Sequence, residues 1–343
     1  MPAKSKSRRT TLVEVAKRAR VGVATVDRVL NERGGVSLKT STKVLNAARD
    51  LRLKRILPTP HHRIVRIEVL LTRPETPFFT RMNDEFRRLS ASLDHSIVVQ
   101  RTLLANEKPE TVARAMRQSS ADAIIVYALE HEAIHKAVAA NAAKGVSTIT
   151  IVSDLPKSKR RAYAGIDHYQ AGRTAGYFVE RMAQKIGPIL VLCNRVTFNA
   201  HAARIKGFGD YLEAAQRGLR ITKILEGEDD DSRSELVVRE ALKEHPDTVA
   251  IYNTGGVNQA VAAAMRDFAP KPVFIGHELN DMSRRLLKDG TMALVIDQNP
   301  DQQARLALQI ALESVGLEGS SWIALPRHAA VPFTLYGPEN TPP

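Results

Sequence analysis

The sequence predicts an all-α head over residues 1–54, followed by an α/β body of two lobes with parallel sheets. Three observations predict it. Between Thr11 and Leu53 apolar residues recur at helical spacing in three short runs. From Ile64 onward short β-branched runs alternate with amphipathic stretches, the pattern of parallel strands covered on both faces by helices. That alternation is run through twice, which implies two lobes, and 343 residues exceed what one ordinary core supports.

In the head, Thr11 to Glu14 opens the first helix as a capping box, with side chains at both ends satisfying amides of the first turn. Leu12, Val15, Ala16 and Ala19 then share one face. Arg20 to Gly22 makes a tight turn into a second helix, Val23–Leu30, whose Val26, Val29 and Leu30 pack back on the first. A polar Gly-Gly loop, Asn31 to Val36, leads to Ser37, the cap of a third helix with Leu38, Val44, Leu45, Ala48 and Leu51 inward. This is a helix-turn-helix layout, in which the second helix offers its N-terminal residues to a DNA major groove. Taken singly, each apolar face is ordinary core and Arg28 an ordinary solvated charge. Charge decides between the two. Residues 1–66 hold 17 Lys or Arg against 4 Asp or Glu, so the whole formal excess of +13 sits on this head.

The run TLVEVAKRARVGVATVDRVLN followed by GVSLKTSTKVLNAARDL resembles the headpiece of lactose repressor (LacI) family transcription regulators. By that resemblance Val23, Ala24 and Arg28 face base edges, Thr25, Asn31 and Thr40 lie nearer the phosphates, and Thr11 counts among the DNA-binding residues. The chemistry agrees, since Arg bridges guanine O6 and N7 while Val and Ala touch a thymine methyl. Gly22 and Asp27 stand where the family commonly has Ser. Asp27 contacts cytosine, pairs with a nearby Arg, or weakens binding. The linker, residues 55–63 (RILPTPHHR), contains Pro58 and Pro60 and reads as extended. Leu57 is either a minor-groove wedge or linker packing; His61 and His62 read as polar linker residues rather than metal ligands.

In the body, strands are expected at Ile64–Leu71, Ile97–Arg101, Ala123–Tyr127 and Ser147–Val152, with helices around Phe79–Leu93, Pro109–Ser119 and Ala133–Lys144. The second series places strands at Ile189–Leu192, Ile221–Glu226, Val249–Asn253, Val273–Ile275 and Leu294–Ile296. A ligand then belongs in the cleft at the carboxyl ends of the strands. The layout is similar to periplasmic sugar-binding proteins and to the effector domains of the same repressor family, which makes residues 64–343 a two-lobed effector-binding and dimerisation domain. The resemblance implies Phe78 and Phe79 stacking on a sugar ring, Arg204 gripping hydroxyls, and Asn253, Glu278 and Gln298 as polar contacts at strand ends. Glu130, at the end of a strand, and Asp167 are further candidates. Each has a plainer role open to it: Phe78 and Phe79 as core, Asn253 and Glu278 as helix caps. Glu278 and Thr254 stand where the family often has Asp, so the pocket is altered.

Other chemistries fare worse. His131-Glu132-Ala133-Ile134-His135 fits the H-E-x-x-H zinc pattern but has no evident third ligand. No Walker loop, G-x-S-x-G elbow or dinucleotide fingerprint occurs, while Gly255-Gly256 after a strand keeps a phosphorylated effector open. Cys193 is the single cysteine, which excludes an internal disulfide, fits a reducing cytoplasm and reads as core packing. No run reaches the roughly 18 apolar residues of a membrane helix, the N-terminal segment lacks the apolar run of a secretion signal, and Tyr336 to Pro343 carries no heptads. The expectation is a cytoplasmic transcription regulator, not an enzyme, without cofactor or metal. It acts as a homodimer on a pseudo-palindromic double-stranded DNA operator under control of a sugar or polyol. The alternatives are a ligand sensor with a degenerate head, or a regulator of a phosphorylated metabolite or purine.

Overall fold

The structure, a computed structural model, describes residues 10–31, 33–51, 53, 64–317 and 330–342. The expected linker 55–63, with Leu57, His61 and His62, lies outside the described residues.

The head consists of α1 (Leu12–Ala19), α2 (Val23–Leu30) and α3 (Leu38–Asp50). The capping box forms: the Glu14 amide donates to Thr11 Oγ1 at 3.3 Å, and the Thr11 amide donates to Glu14 Oε2 at 2.8 Å. Arg20, left-handed at φ 56°, ends α1 and turns the chain into α2. Ser37 caps α3 by accepting from the Thr40 amide at 3.3 Å. Val15, Ala16 and Ala19 of α1, Val26, Val29 and Leu30 of α2, and Val44, Leu45 and Ala48 of α3 close one small core. Arg18 and Asp50, 3.1 Å apart, tie α1 to α3 at the surface.

The first lobe runs β1 (Val65–Leu71), α4 (Pro77–Ser90), β2 (Ile97–Leu103), α5 (Pro109–Gln118), β3 (Ala123–Val126), α6 (Glu132–Ala143), β4 (Ser147–Ile151) and β5 (Ala162–Ala164). Its strands are parallel in the order β2-β1-β3-β4-β5. The second lobe runs α7 (His168–Met182), β6 (Pro188–Cys193), α8 (Asn199–Ala215), β7 (Arg220–Glu226), α9 (Asp231–Glu244), β8 (Ala250–Asn253), α10 (Asn258–Ala264), β9 (Val273–His277), α11 (Asp281–Lys288) and β10 (Leu294–Asp297). Here the order is β11-β10-β9-β8-β6-β7, with β11 (Thr334–Tyr336) the one antiparallel member among the described strands. That strand is an antiparallel addition to the expected parallel sheets. It follows no crossover helix of its own lobe, so it is free to enter against the direction of its neighbour.

The chain passes between the lobes at three places. Residues 165–167 lead into α7; Gln298 and Asn299 lead out of β10 into α12 (Pro300–Ser314), which packs on α4 and β4 of the first lobe; residues 330–333 lead back to β11. These segments bond to one another, the Val331 amide donating to Gly165 O at 2.8 Å and Asn299 Nδ2 to Pro332 O at 2.5 Å. In both sheets the strand order reverses at the first strand, so the loops after β1 and β3 and those after β6 and β8 open a crevice at their carboxyl ends. Within the second lobe α7 and α8 lie very close. A Cβ at Gly172 would overlap the Arg204 carbonyl oxygen, and one at Gly207 would overlap that of Tyr169. Only glycine permits that backbone approach.

Candidate functional sites: an exposed helix face and a closed cleft

On the head, Val23, Ala24 and Arg28 are exposed together, Val23 at 43%, while the opposite face of α2 is buried. The N-terminus of α2 starts at Gly22 without a side-chain cap, which leaves its first amides open to an acceptor from outside. Thr25 and Thr40 are half-buried; the Thr40 hydroxyl lies 2.9 Å from Ser37 Oγ, and Thr11 is engaged in the capping box. Asn31, at the C-terminal end of α2, donates through Nδ2 to Asp27 Oδ1 at 2.6 Å. Arg33 Nη1 donates to Asp27 Oδ2 at 2.9 Å. Of the three roles open to Asp27, pairing with a nearby Arg is the one realised in this structure.

Between the lobes lies a cavity of about 640 Å³. Each strand end contributes: Arg73, Phe78 and Phe79 after β1, Tyr127 after β3, Val152 and Ser153 after β4, Asn194 and Phe198 after β6, Asp229 after β7, Gly255 and Gly256 after β8, Glu278 after β9 and Gln298 after β10. Phe78 and Phe79 stand edge to face at 5.3 Å, and Tyr127 lies 5.0 Å from Phe79. These rings belong to the hydrophobic core and also wall the cavity. An apolar wall facing a few placed polar groups is the build of a small-molecule site.

Arg204, 2% exposed, projects from α8 into this wall. Its Nε and Nη2 donate to His168 Nδ1 at 3.2 and 3.1 Å, and its Nη1 donates to the Thr254 carbonyl. Burial, and then the Arg204 charge, holds His168 well below the ordinary imidazole range and His201 down to about 4. His168 is therefore neutral, accepts at Nδ1 and donates at Nε2 to Val152 O, 2.6 Å away. Glu278 sits at φ 70° with its carboxylate against the Gly256 backbone. Burial, followed by repulsion from Asp229, pushes it up to about 7. Gln298 is 2% exposed and its Oε1, among the described residues, has no hydrogen-bond partner.

Three expected contacts are not brought to the cavity wall. Asp167 caps α7, its Oδ1 accepting from the Gln170 amide at 2.9 Å. Asn253 is 0% exposed behind the wall, where its Nδ2 donates to Asn258 Oδ1 at 2.8 Å and its Oδ1 accepts from the Gly255 amide at 3.0 Å. Glu130 accepts from Asn199 Nδ2 at 2.8 Å, a contact from the first lobe to the second. Arg73 and Asp229 make a second such bridge, Asp229 also accepting from Asn194 Nδ2. The cleft is thus closed, held on either side by polar contacts. Tyr127, Arg73, Asp229 and His168 escape a sequence reading because each acquires its role from a partner on another element. Asp229 carries a signal all the same: it lies in the acidic run Glu228 to Asp231 after a strand.

The H-E-x-x-H segment does not present two His on one helical face. His131 precedes α6 and caps it, Nδ1 accepting from the Ala133 amide at 3.1 Å, while His135 Nε2 lies 2.7 Å from Glu130. Cys193 is buried on β6, its Sγ donating to Leu225 O at 3.5 Å. Among the described residues no helix is long and apolar enough to cross a membrane.

Comparison with known proteins gives a counterpart to each of the two parts. The chain is 30% identical over 120 residues to the ribose operon repressor of Halalkalibacterium halodurans, covering 34% of this chain and 36% of that protein. It is 25% identical over 215 residues to the D-ribose/D-allose-binding protein of Pseudomonas aeruginosa, covering 59% and 66%. The chain therefore spans 36% and 66% of the lengths of these curated relatives. In fold it is similar to GanP, a glucose-galactose binding protein from Geobacillus stearothermophilus (TM-score 0.74, 20% identity, 82% of this chain and 99% of that one). It is also similar to a solute-binding protein from Burkholderia graminis in complex with D-arabinose (TM-score 0.74, 21% identity, 82% and 97%). Residues 67–318 match the periplasmic binding protein domain and residues 11–54 match bacterial regulatory proteins of the lacI family. The chain belongs to the periplasmic-binding-protein domain family and carries at its N-terminus the helix-turn-helix of lacI-type bacterial regulators.

Proposed function

We propose that this protein is a sugar-controlled transcription regulator of the cytoplasm, without catalytic activity, and that its effector is an unphosphorylated monosaccharide with D-ribose the first candidate. The observation that carries this reading is the joining in one chain of an exposed, uncapped recognition helix to a closed cleft walled by aromatic rings and buried hydrogen-bonding groups. Val23, Ala24 and Arg28 read base edges, with Thr25, Thr40 and Thr11 on the phosphate side. In the cleft, Phe78 and Phe79 meet the apolar face of the sugar, and Glu278, Gln298 and Arg204 take hydroxyls. Two curated relatives named for ribose support the choice of D-ribose.

A phosphorylated effector fits less well. The Gly255-Gly256 turn has the Glu278 carboxylate against Gly256 and Asp229 3.1 Å from where a Cβ of Gly255 would stand. Two acidic groups at that place repel phosphate rather than bind it. The head 1–54, the linker 55–63 and the body 64–343 form three working parts, and two copies pair through the body to set two heads on an operator of pseudo-palindromic sequence. The edge strands β2 and β7 present exposed apolar side chains, Val98 and Leu103 on one and Ile224 on the other, surface that a second copy would cover. The sugar acts through its differential affinity for the closed and open cleft.

The test is a thermal-shift screen of the full chain against D-ribose, other pentoses, hexoses, their phosphates and purines, followed by operator binding with and without the best hit. Ligand at about a hundred times its dissociation constant stabilises by about 2.7 kcal/mol. A hit confined to phosphates or purines overturns the sugar reading. A hit that leaves operator affinity unchanged overturns sugar control.

A further inference from the structure

Two residues that wall the cleft, Arg204 and Gln298, are joined behind it by a hydrogen-bonded path from the Arg204 side chain to the Gln298 backbone. Arg204 donates through Nε and Nη2 to His168 Nδ1 at 3.2 and 3.1 Å, and His168 Nε2 donates to Val152 O at 2.6 Å. The same residue's amide, Val152 N, donates to Gln303 Oε1 at 3.1 Å, and Gln303 Nε2 donates to Gln298 O at 2.9 Å. The path starts and ends at residues of the cavity wall, since Arg204 and Gln298 both line it.

Each link sits at a connection between lobes. His168 begins α7 directly after the first connection, and Gln298 forms the second. Gln303, 0% exposed in the first turns of α12, stands where that helix returns to the first lobe. Val152 is the pin on the first-lobe side. It is β-branched yet held at φ 64°, a conformation that such residues adopt only when their surroundings over-determine it. Here both its backbone groups are claimed from outside its own sheet, the carbonyl by the second lobe and the amide by α12. A second hydrogen bond to the same carbonyl, from the Tyr163 hydroxyl at 3.2 Å, adds to the hold, and Tyr163 lies across Gly165 in the first connection.

From this arrangement we infer that His168 and Gln303 are positioning residues that bind the ligand-facing groups Arg204 and Gln298 to the lobe connections, so that the cleft wall and the angle between the lobes move as one unit. The inference rests on the proposed sugar site for its ligand, but the path itself is a property of the protein alone. A sugar that bonds both Arg204 and Gln298 closes the path into a ring and fixes Val152 in its strained state. Without the sugar, release of either end frees Val152, and with it the connections at 165–167, 298–299 and 330–331.

Hydrogen exchange on the full-length protein tests it, with and without D-ribose as the probe. In Gln303→Leu without sugar, exchange rises roughly tenfold at Val152 and, together with it, at residues 165–168 and 330–331, while the strand interiors of both lobes keep their protection. A rise confined to Val152 overturns the proposal. His168→Gln, whose side-chain amide accepts and donates at once, keeps the parent pattern; His168→Leu loses it if that variant folds, and His168→Gln with a scattered pattern counts against the path. In the parent, D-ribose slows exchange at all three connections at once, and in Gln303→Leu it slows exchange only around Phe78, Phe79 and Arg204. If D-ribose leaves the parent unprotected, the choice of sugar fails, and the sugar-free comparison of variants still decides the path.

Discussion

The head and the cleft use charge in opposite ways. On the head cations are in excess and stand in solvent, with Arg28 exposed on the face of α2 and the whole formal excess of the chain carried before residue 67. In the cleft cations and anions are balanced and set against partners: Arg204 against His168 and Thr254, Arg73 against Asp229, and Arg81 against Asp297 and Asp301 at 3.1 and 2.7 Å. An exposed charge works by long-range attraction and costs the fold little; a buried one is bound into the fold and fails with it. Substitutions therefore separate the regions, damaging function alone on the head and function together with stability in the cleft.

The largest effect is expected from Arg204→Met. Truncation leaves His168 Nδ1 and the Thr254 carbonyl without their donor inside the protein, which costs about 3 kcal/mol of stability and removes sugar binding. Thermal melting and D-ribose titration measure both, and operator affinity in the absence of sugar stays within a few-fold of the parent. A variant that melts as the parent does would place Arg204 with the solvated charges and erase the contrast.

Arg28→Ala is the matching cut on the head. Loss of about 1–3 kcal/mol is expected on operator DNA, roughly ten- to a hundredfold, with random duplex far less affected and no change in melting. Equal losses on operator and random DNA would make Arg28 a phosphate contact instead of a base reader.

These two residues also mark how far the sequence could be read. The exposure of Arg28, opposite Val26 and Leu30 on a short helix, follows from spacing, and its expected base-reading role from the resemblance of the head to lacI-type regulators. Most strands were legible for the same reason, as buried runs such as Ala123–Val126. What was not legible depends on pairing at a distance. The return of α12 to the first lobe, the antiparallel β11 and the three-residue β5 have no periodic signal of their own. Glu130 and Asp167 carry the right chemistry for a hydroxyl contact, but the first meets Asn199 and the second the amide of Gln170. His168, 36 residues from Arg204 in sequence, is invisible until α7 and α8 are brought together at Gly172 and Gly207.

A smaller effect, and one with a sign to work out, concerns pH. Glu278 is raised to about 7, chiefly by burial, so the folded state holds its proton more tightly than the unfolded chain. Its penalty is absent below about pH 4.5 and complete above about 7. His168, His201 and His277 are depressed by burial, so the unfolded chain binds protons first, and they penalise the folded state as pH falls below about 6.5. Three groups outweigh one where the windows overlap, so the stability of the body rises with pH through that range and levels off above about pH 7. Glu278→Gln removes the opposing contribution and so steepens the rise in stability between about pH 4.5 and 7. Melting curves from pH 5 to 8 measure this, and an unchanged slope would mean that Glu278 is solvated.

The smallest effect is expected at Asp27, where the head, as at Arg18 and Asp50, sets a charge against a partner as the cleft does. Its carboxylate accepts from Asn31 and Arg33, and so fastens the Gly-Gly loop to α2 while cancelling a cation on the DNA-facing side. Both partners are surface groups, and a pair of that kind is worth about 0–1 kcal/mol. Asp27→Ser removes one negative charge close to phosphate and releases Arg33. Affinity for any duplex then rises a few-fold, and the slope of log affinity against log salt steepens by about one phosphate's share. Melting moves by less than about 2 °C, since the pair contributes little to the fold. If operator affinity falls instead while the salt slope stays constant, Asp27 acts by holding the loop in place rather than by its charge, and the pairing is structural on the head as it is in the cleft.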